Sequence, residues 1–319
     1  MQIFNKSNFD FVRWRWHALA LSTLVVLAGV VMIATRGLQK GVDFEGGTIV
    51  IVKFNETPDL NRITSALGGD AVVQQYGDAD NRDVMIRVRR AGAETGGNLS
   101  SEVDRIISTL KSSGVGAFNA TPVGTEIVGP VVGEQLRRQG IWATIFALAG
   151  ILGYIALRFQ FSFAVGAVVA TLHDLMVCLA FLAFFRYDMT LNVVAGLLTI
   201  TGYSVNDTIV IFDRVRENMR SMRRDNLATI VNTAVNQTLS RTIITAGTTL
   251  LSVIALYLFG GEVLEGFAFT MLVGIVSGTY STVFIASAIA IILQRGKPTK
   301  GQPAAAAAAP VRPSKRRAS

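Results

Sequence analysis

Residues 191–217 read LNVVAGLLTITGYSVNDTIVIFDRVRE. The first 22 of these are apolar enough to cross a bilayer as a helix. Near the end of that run stand Asn206 and Asp207, before Asp213, Arg214 and Arg216 close it. A carboxylate at the centre of a spanning helix costs about 2.5–3.5 kcal/mol on translocon-type scales, so it persists where it faces protein or water. Asp207 lies five residues before Phe212, about 7–8 Å along a helix axis, which is deep for so short a side chain to reach the surface. The stretch therefore predicts a membrane helix with an ion or proton site. The alternative is an aspartate that caps the next segment or snorkels to the membrane face.

Composition agrees with a membrane protein. Only 16% of the 319 residues are charged and 50% are hydrophobic, against about 25% charged in soluble domains. The net charge of +8 is unevenly placed. Residues 36–140 carry 12 basic and 13 acidic side chains, whereas the segment from Arg295 onward carries seven basic and no acidic ones. That distribution fits membrane orientation and contact with anionic lipid, and no nucleic-acid partner is expected. The one cysteine, Cys178, cannot form a disulfide within the chain.

Taken in order, residues 1–17 form a weakly basic lead with Trp14 and Trp16 suited to a headgroup belt. An apolar run at 18–35 follows without a small-residue cleavage site, so an uncleaved first span is expected. Residues 36–139 are the one long soluble stretch. Strand patterns fall at 48–54, 71–76, 83–89 and 118–127, and helix patterns at 59–67 and 100–111, with a loop at 92–98. The order β-α-β-β-α-β predicts a ferredoxin-like domain. Further spans are expected at 141–157, 161–185, 191–212, 243–259 and 267–293 within a membrane region of residues 140–293. Residues 213–240 form a connection with an amphipathic helix capped by Asp225. A basic Ala/Pro tail, 294–319, reads as disordered. Arg158 and the group Arg214, Arg216, Arg220, Arg223 and Arg224 place those loops, and both termini, in the cytoplasm; residues 36–139 then lie outside.

Other polar groups fall inside spans. Arg241 opens the fifth span, at a depth where an antiparallel hairpin brings it toward Asp207 for mutual charge compensation; the alternative is a snorkelling arginine. His173 and Asp174 sit mid-span, and histidine titrates near neutral pH, although a satisfied packing role is the competing reading. Hydroxyl and small residues crowd the last two spans, among them Thr245, Thr248, Ser252, Ser277 and Ser281, and permit close helix approach. No HExxH, GxSxG, P-loop or Cys/His metal spacing occurs. No enzymatic activity, cofactor or metal is expected, and energy must come from an ion gradient or a partner.

Several segments together resemble a known family. They are GVDFEGG at 41–47, VGPVVGEQL at 128–136, HD at 173–174, SVNDTIVIFDRVREN at 204–218, RTIITAGTTL at 241–250 and YLFGGEVLEGFAFTMLVGIVSGTYSTVFIASAIA at 257–290. They resemble the SecF proteins of the SecD/SecF family, within the resistance–nodulation–division superfamily. The resemblance covers nearly the whole chain up to the tail. It implies an α-helical half-transporter of six transmembrane helices with a ferredoxin-like external domain between helices 1 and 2, in the bacterial inner membrane. It implies pairing with a SecD-like subunit and association with a SecYEG-type channel, with a YajC- or YidC-type accessory protein and a translocating polypeptide as further partners. It implies late-stage protein export driven by the proton-motive force, with the family's intramembrane acid and base on Asp207 and Arg241. Asn206, His173 and Asp174 complete the expected coupling set. Gly41, Asp43, Gly46, Gly47, Gly129, Pro130 and Gly133 form the motifs and joints at which the external domain meets the membrane. A non-catalytic assembly scaffold and a half-size small-molecule efflux transporter are the competing readings.

Overall fold

The computed structural model describes residues 8–68, 71–77, 82–88 and 99–294. The expected loop at 92–98, the first seven residues of the lead and the tail from 295 lie outside them. Among the described residues, six helical segments are long and apolar enough to cross a membrane. They are built from α1 (Arg15–Arg36), α5 (Pro130–Arg158), α6 (Phe161–Phe185), α7 (Leu191–Ser221), α8 (Leu227–Phe259) and a last segment made of α9 (Glu262–Ser281), a π-helical turn (Thr282–Ala286) and α10 (Ser287–Gln294).

Between α1 and α5 lies the sheet domain. A short helix α2 (Val42–Glu45) leads into β1 (Gly47–Lys53), α3 (Leu60–Leu67), β2 (Ala71–Tyr76), β3 (Asp83–Val88), α4 (Leu99–Ser112) and β4 (Gly124–Val128). The strands pair antiparallel in the order β2-β3-β1-β4, the ferredoxin-like arrangement. Alternation along β1 and β3 puts Val50, Val52, Val84 and Ile86 on one face, where they bury Ile63 of α3 and Ile106 and Leu110 of α4. Asp59 caps α3 by accepting the amides of Asn61 and Arg62 at 3.0 and 3.3 Å. The last strand is shorter than its apolar pattern predicts. Phe118 makes only an isolated bridge to Phe54, because Asn119 turns the chain by accepting the Thr121 amide and Pro122 has no amide to donate.

The expected separate amphipathic helix is instead the first part of α8, which runs unbroken for 33 residues, about 50 Å against a hydrocarbon core of about 30 Å. No proline interrupts it. Ile230, Val231, Ala234 and Val235 are buried with Phe212 and Val215 of α7, so packing continues past the membrane-length part of the hairpin. The cap is Asn226, whose side chain accepts the Thr229 amide at 2.8 Å, rather than Asp225.

The helices enclose two apolar clusters. One gathers Phe163, Phe212, Val231 and Ala286; the other gathers Leu182, Leu197, Ile200 and Ile275. Between them in sequence along α6, α7 and α9 stand Asp174, Ser204, Ser277 and Ser281, all buried.

Candidate ion-coupling site

Asp174 is 1% exposed and fully solvated by protein. Ser204 and Ser281 donate to Oδ2 at 2.6 and 2.7 Å, Ser277 donates to Oδ1 at 2.7 Å, and His173 Nδ1 lies 3.1 Å from Oδ1. One carboxylate thus joins α6, α7 and α9. Gly278 lets α7 and α9 approach closely here, since a Cβ there would lie 3.2 Å from that of Ser204. His173 is extended outward through Tyr280, whose hydroxyl donates to the Ala18 carbonyl of α1 at 2.9 Å and accepts from Ser22 at 3.3 Å.

One turn further along α7, Asp207 has a different environment. Its Oδ1 accepts from Thr242 Oγ1 at 2.8 Å, while its Oδ2 is buried without a hydrogen-bond partner among the described residues. An unsatisfied buried acceptor costs about 1–3 kcal/mol, more when charged. Asp207 meets Thr242 rather than forming the expected ion pair with Arg241 among the described residues. The reason is helical phase: successive residues are turned by about 100°. Thr242 is buried and reaches Asp207, whereas Arg241, one position earlier, is exposed.

Arg241 instead shares an exposed stripe with Thr245, Thr248 and Ser252 on α8, spaced four, three and four residues apart. The neighbouring α7 exposes Ala195, Thr199, Gly202 and Asn206 at the same spacing. Each set lies on one helix face. Deeper in the bundle Thr208 contacts Thr282 Oγ1 at 3.2 Å, at the start of the π-helical turn.

The motif glycines divide into three kinds. At Gly41 a Cβ would lie 2.8 Å from the Met189 carbonyl, and at Gly133 it would lie 2.9 Å from the Gly46 amide. These are close-contact positions. Gly46 and Gly47 take positive φ of 73° and 144° between α2 and β1. Gly129, just before Pro130 starts α5, has open space around it. Asp43 accepts the Leu191 amide at 2.8 Å.

Residues 108–296 match the family described as protein export membrane protein SecD/SecF, C-terminal, and residues 31–58 match the SecD/SecF GG motif. The chain belongs to the SecD/SecF family. Within that family it is 40% identical over 290 residues to the protein translocase subunit SecF of Escherichia coli O157:H7, covering 89% of this chain and 88% of that one. It is 42% identical over 292 residues to the SecF subunit of Vibrio alginolyticus, covering 90% of each. The crystal structure of SecDF from Thermus thermophilus, described as a translocon-associated membrane protein, superposes with a TM-score of 0.80 at 31% identity. That match covers 92% of this chain but 40% of the SecDF chain, so this SecF-like chain spans less than half of it. A SecDF structure in a super-membrane-facing form gives a TM-score of 0.66 at 32% identity over 91% of the chain.

Asp174 and Asp207 are legible in the sequence because a carboxylate stands out in an apolar run. Ser204 and Thr242 are not legible there as their partners. Hydroxyl residues are common in membrane helices and commonly satisfy their own i−4 carbonyl, as Thr171 and Thr201 do here.

Proposed function

We propose that this chain is the SecF-type subunit of the bacterial protein-export machinery, a multi-pass inner-membrane protein that acts in late-stage translocation without itself being an enzyme. It pairs with a SecD-type subunit, and the pair associates with a SecYEG-type channel and a YajC- or YidC-type accessory protein while a secreted polypeptide is released. Both termini are cytoplasmic, the sheet domain is periplasmic, and the basic tail lies near anionic lipid.

The observation that carries the coupling assignment is Asp207 with one carboxylate oxygen satisfied and the other buried without a partner. Such a group gains from taking a proton or from meeting a new donor. The exposed stripes of small and polar residues containing Asn206 and Arg241 lie on the same two helices, and stripes of this kind favour another helix over lipid. A SecD-type half covering them would place Arg241 and Asn206 at the edge of the Asp207 site. Proton passage driven by the proton-motive force then changes the charge of Asp207 and the contact of α7 with α8.

Asp174 and His173 carry the other part of this reading. With both carboxylate oxygens occupied by hydroxyl donors, Asp174 holds three helices in register while Asp207 titrates. Gly129 and Pro130 form the open joint between sheet domain and α5, whereas Gly41, Gly46 and Gly133 set close contacts.

Asp207→Asn tests the motor reading against the scaffold reading. The substitution keeps volume and the Thr242 contact but abolishes titration. The expected outcome is normal insertion and co-purification with the SecD-type partner, with proton-motive-force-dependent export lost. Export at the unsubstituted rate would leave the scaffold reading standing.

A further inference from the structure

The turn between α6 and α7, residues 186–190, is fastened on two sides. Toward α9, the Tyr187 hydroxyl donates to Glu265 Oε1 at 2.6 Å, the Tyr187 ring stacks on Phe269 at 4.4 Å, and Asn192 Nδ2 donates to the Val263 carbonyl at 3.0 Å. Toward the sheet domain, Arg87 makes a two-pronged ion pair with Asp188, with Nη1 to Oδ1 at 3.0 Å. The Met189 amide donates to the Gln39 carbonyl at 2.7 Å, and the Gly41 amide donates back to the Met189 carbonyl at 2.8 Å.

The Arg87–Asp188 pair and a further contact, from Asp43 to the start of α7, are not explained by the stability of either part alone. Arg87 is the penultimate residue of β3, opposite Ile49 of β1 and Val72 of β2, yet it is 8% exposed. A buried guanidinium carries a desolvation cost that an apolar residue at that sheet position would avoid. Its partner, Asp188, belongs to a membrane loop 101 residues away. Asp43, likewise from outside the bundle, supplies an acceptor to the amide of Leu191, the first residue of α7. The first amides of a helix have no partner within it and favour a negative group. Thr190 Oγ1 takes the Val193 amide at 3.3 Å, so the sheet domain completes a cap that α7 begins.

α7 is also the helix of Asp207, 16 residues or about 24 Å further along. We infer that Arg87–Asp188 and Asp43–Leu191 together form a latch that couples the position of α7 to the docking of the sheet domain, with Arg87, Asp188 and Asp43 as positioning residues. The inference rests on the reading that Asp207 drives export. When α7 holds the position seen here, the domain is docked on the turn. A tilt or slide of α7 withdraws the Leu191 amide from Asp43 and loads the single remaining ion pair.

The test uses the full chain with its SecD-type partner in lipid vesicles. Spin labels are placed at Lys53→Cys on the sheet domain and Leu258→Cys near the outer end of α8, both exposed positions. The parent should give one narrow distance. Asp188→Asn should add a second, undocked population, with a roughly tenfold or larger rise in the undocked fraction, and should lower export in parallel. The exchanged pair Arg87→Asp with Asp188→Arg should return both the narrow distance and export toward the parent, which a misfolded sheet domain would not do. An unchanged distance in Asp188→Asn, a broadened distance with unaltered export, or an exchanged pair no better than Arg87→Asp alone would each overturn the latch. These outcomes are separate from Asp207→Asn, whose failure would show in export while the latch distances stay as expected.

Discussion

Thr242 meets Asp207 where charge complementarity pointed to Arg241, and the difference is one position on α8. Depth along an antiparallel hairpin is legible in a sequence because it depends only on counting residues. Phase about the helix is not, because it depends on how the hairpin is rotated by every other contact it makes. The same distinction covers Asp174: its burial follows from its place in an apolar run, but the three serines around it come from two other helices. Glu126 offers a residue-scale prediction outside the membrane. It lies on β4 opposite Ile49, and partial desolvation, followed by the nearby Asp43 charge, raises its pKa above the usual carboxylate value, with Arg87 acting in the opposite direction. The folded state therefore disfavours ionised Glu126. The penalty is absent below the unfolded pKa, and it grows as pH rises toward and through the folded one. Glu126→Gln should accordingly raise the melting temperature of the purified full chain near pH 7.5 and lose that advantage near pH 4. A shift of equal size at both pH values would show that its charge is not what opposes folding.

At the scale of elements, the six spans and the split β-α-β-β-α-β order were readable because length, apolarity and period-two alternation are local properties. The interruption of the last span was not. The π-helical turn at Thr282–Ala286 carries no proline or glycine within it, and its cause is tertiary. Gly166 of α6 packs so closely on this turn that a Cβ would lie 2.6 Å from the Ala286 carbonyl. Ser287 Oγ donates to the Thr282 carbonyl at 3.2 Å and takes up one of the carbonyls that the wider turn displaces. Gly166→Ala should therefore destabilise the bundle by about 1–3 kcal/mol, the usual cost of overpacking. Gly150→Ala in α5, where nothing lies within 4 Å of the added carbon, should be neutral or stabilising by up to about 1 kcal/mol from helix propensity. Chemical denaturation of the two variants in the same detergent compares them. Equal losses at both sites would mean that glycine at 166 serves backbone flexibility rather than contact between α6 and the π-helical turn.

For the molecule as a whole, helix alternation sets the sheet domain, the turn at 186–190 and the turn at Gly260 and Gly261 at one end of the bundle. The connections α5–α6 and α7–α8 then lie at the other end, with the start of α1 and the end of α10. The proposed side for each end rests on charge. The α7–α8 end carries Arg214, Arg216, Arg220, Arg223 and Arg224, while in the opposite turns Arg186 is offset by Asp188, and the α8–α9 turn has no basic residue. Basic loops are retained in the cytoplasm as a rule, and on that rule the proposed orientation has the sheet domain outside. That placement has an energetic consequence. One proton crossing a potential of about 100 mV supplies about 2.3 kcal/mol, less than the 5.5 kcal/mol or so needed to drive a two-state element from 1:99 to 99:1. On the proposed coupling, a domain outside the membrane would therefore need more than one charge transfer, or a cycle shared with the SecD-type half. The orientation itself is testable without the motor. A membrane-impermeant thiol reagent applied to intact cells should label Val123→Cys on the sheet domain and Phe259→Cys at the end of α8, both well exposed. It should label Arg223→Cys only after the membrane is opened, while the native Cys178, buried in α6, stays silent throughout. Labelling of position 223 in intact cells would invert the topology. The sheet domain would then face the cytoplasm, and a role in releasing exported polypeptides on the outer side would no longer be open to it.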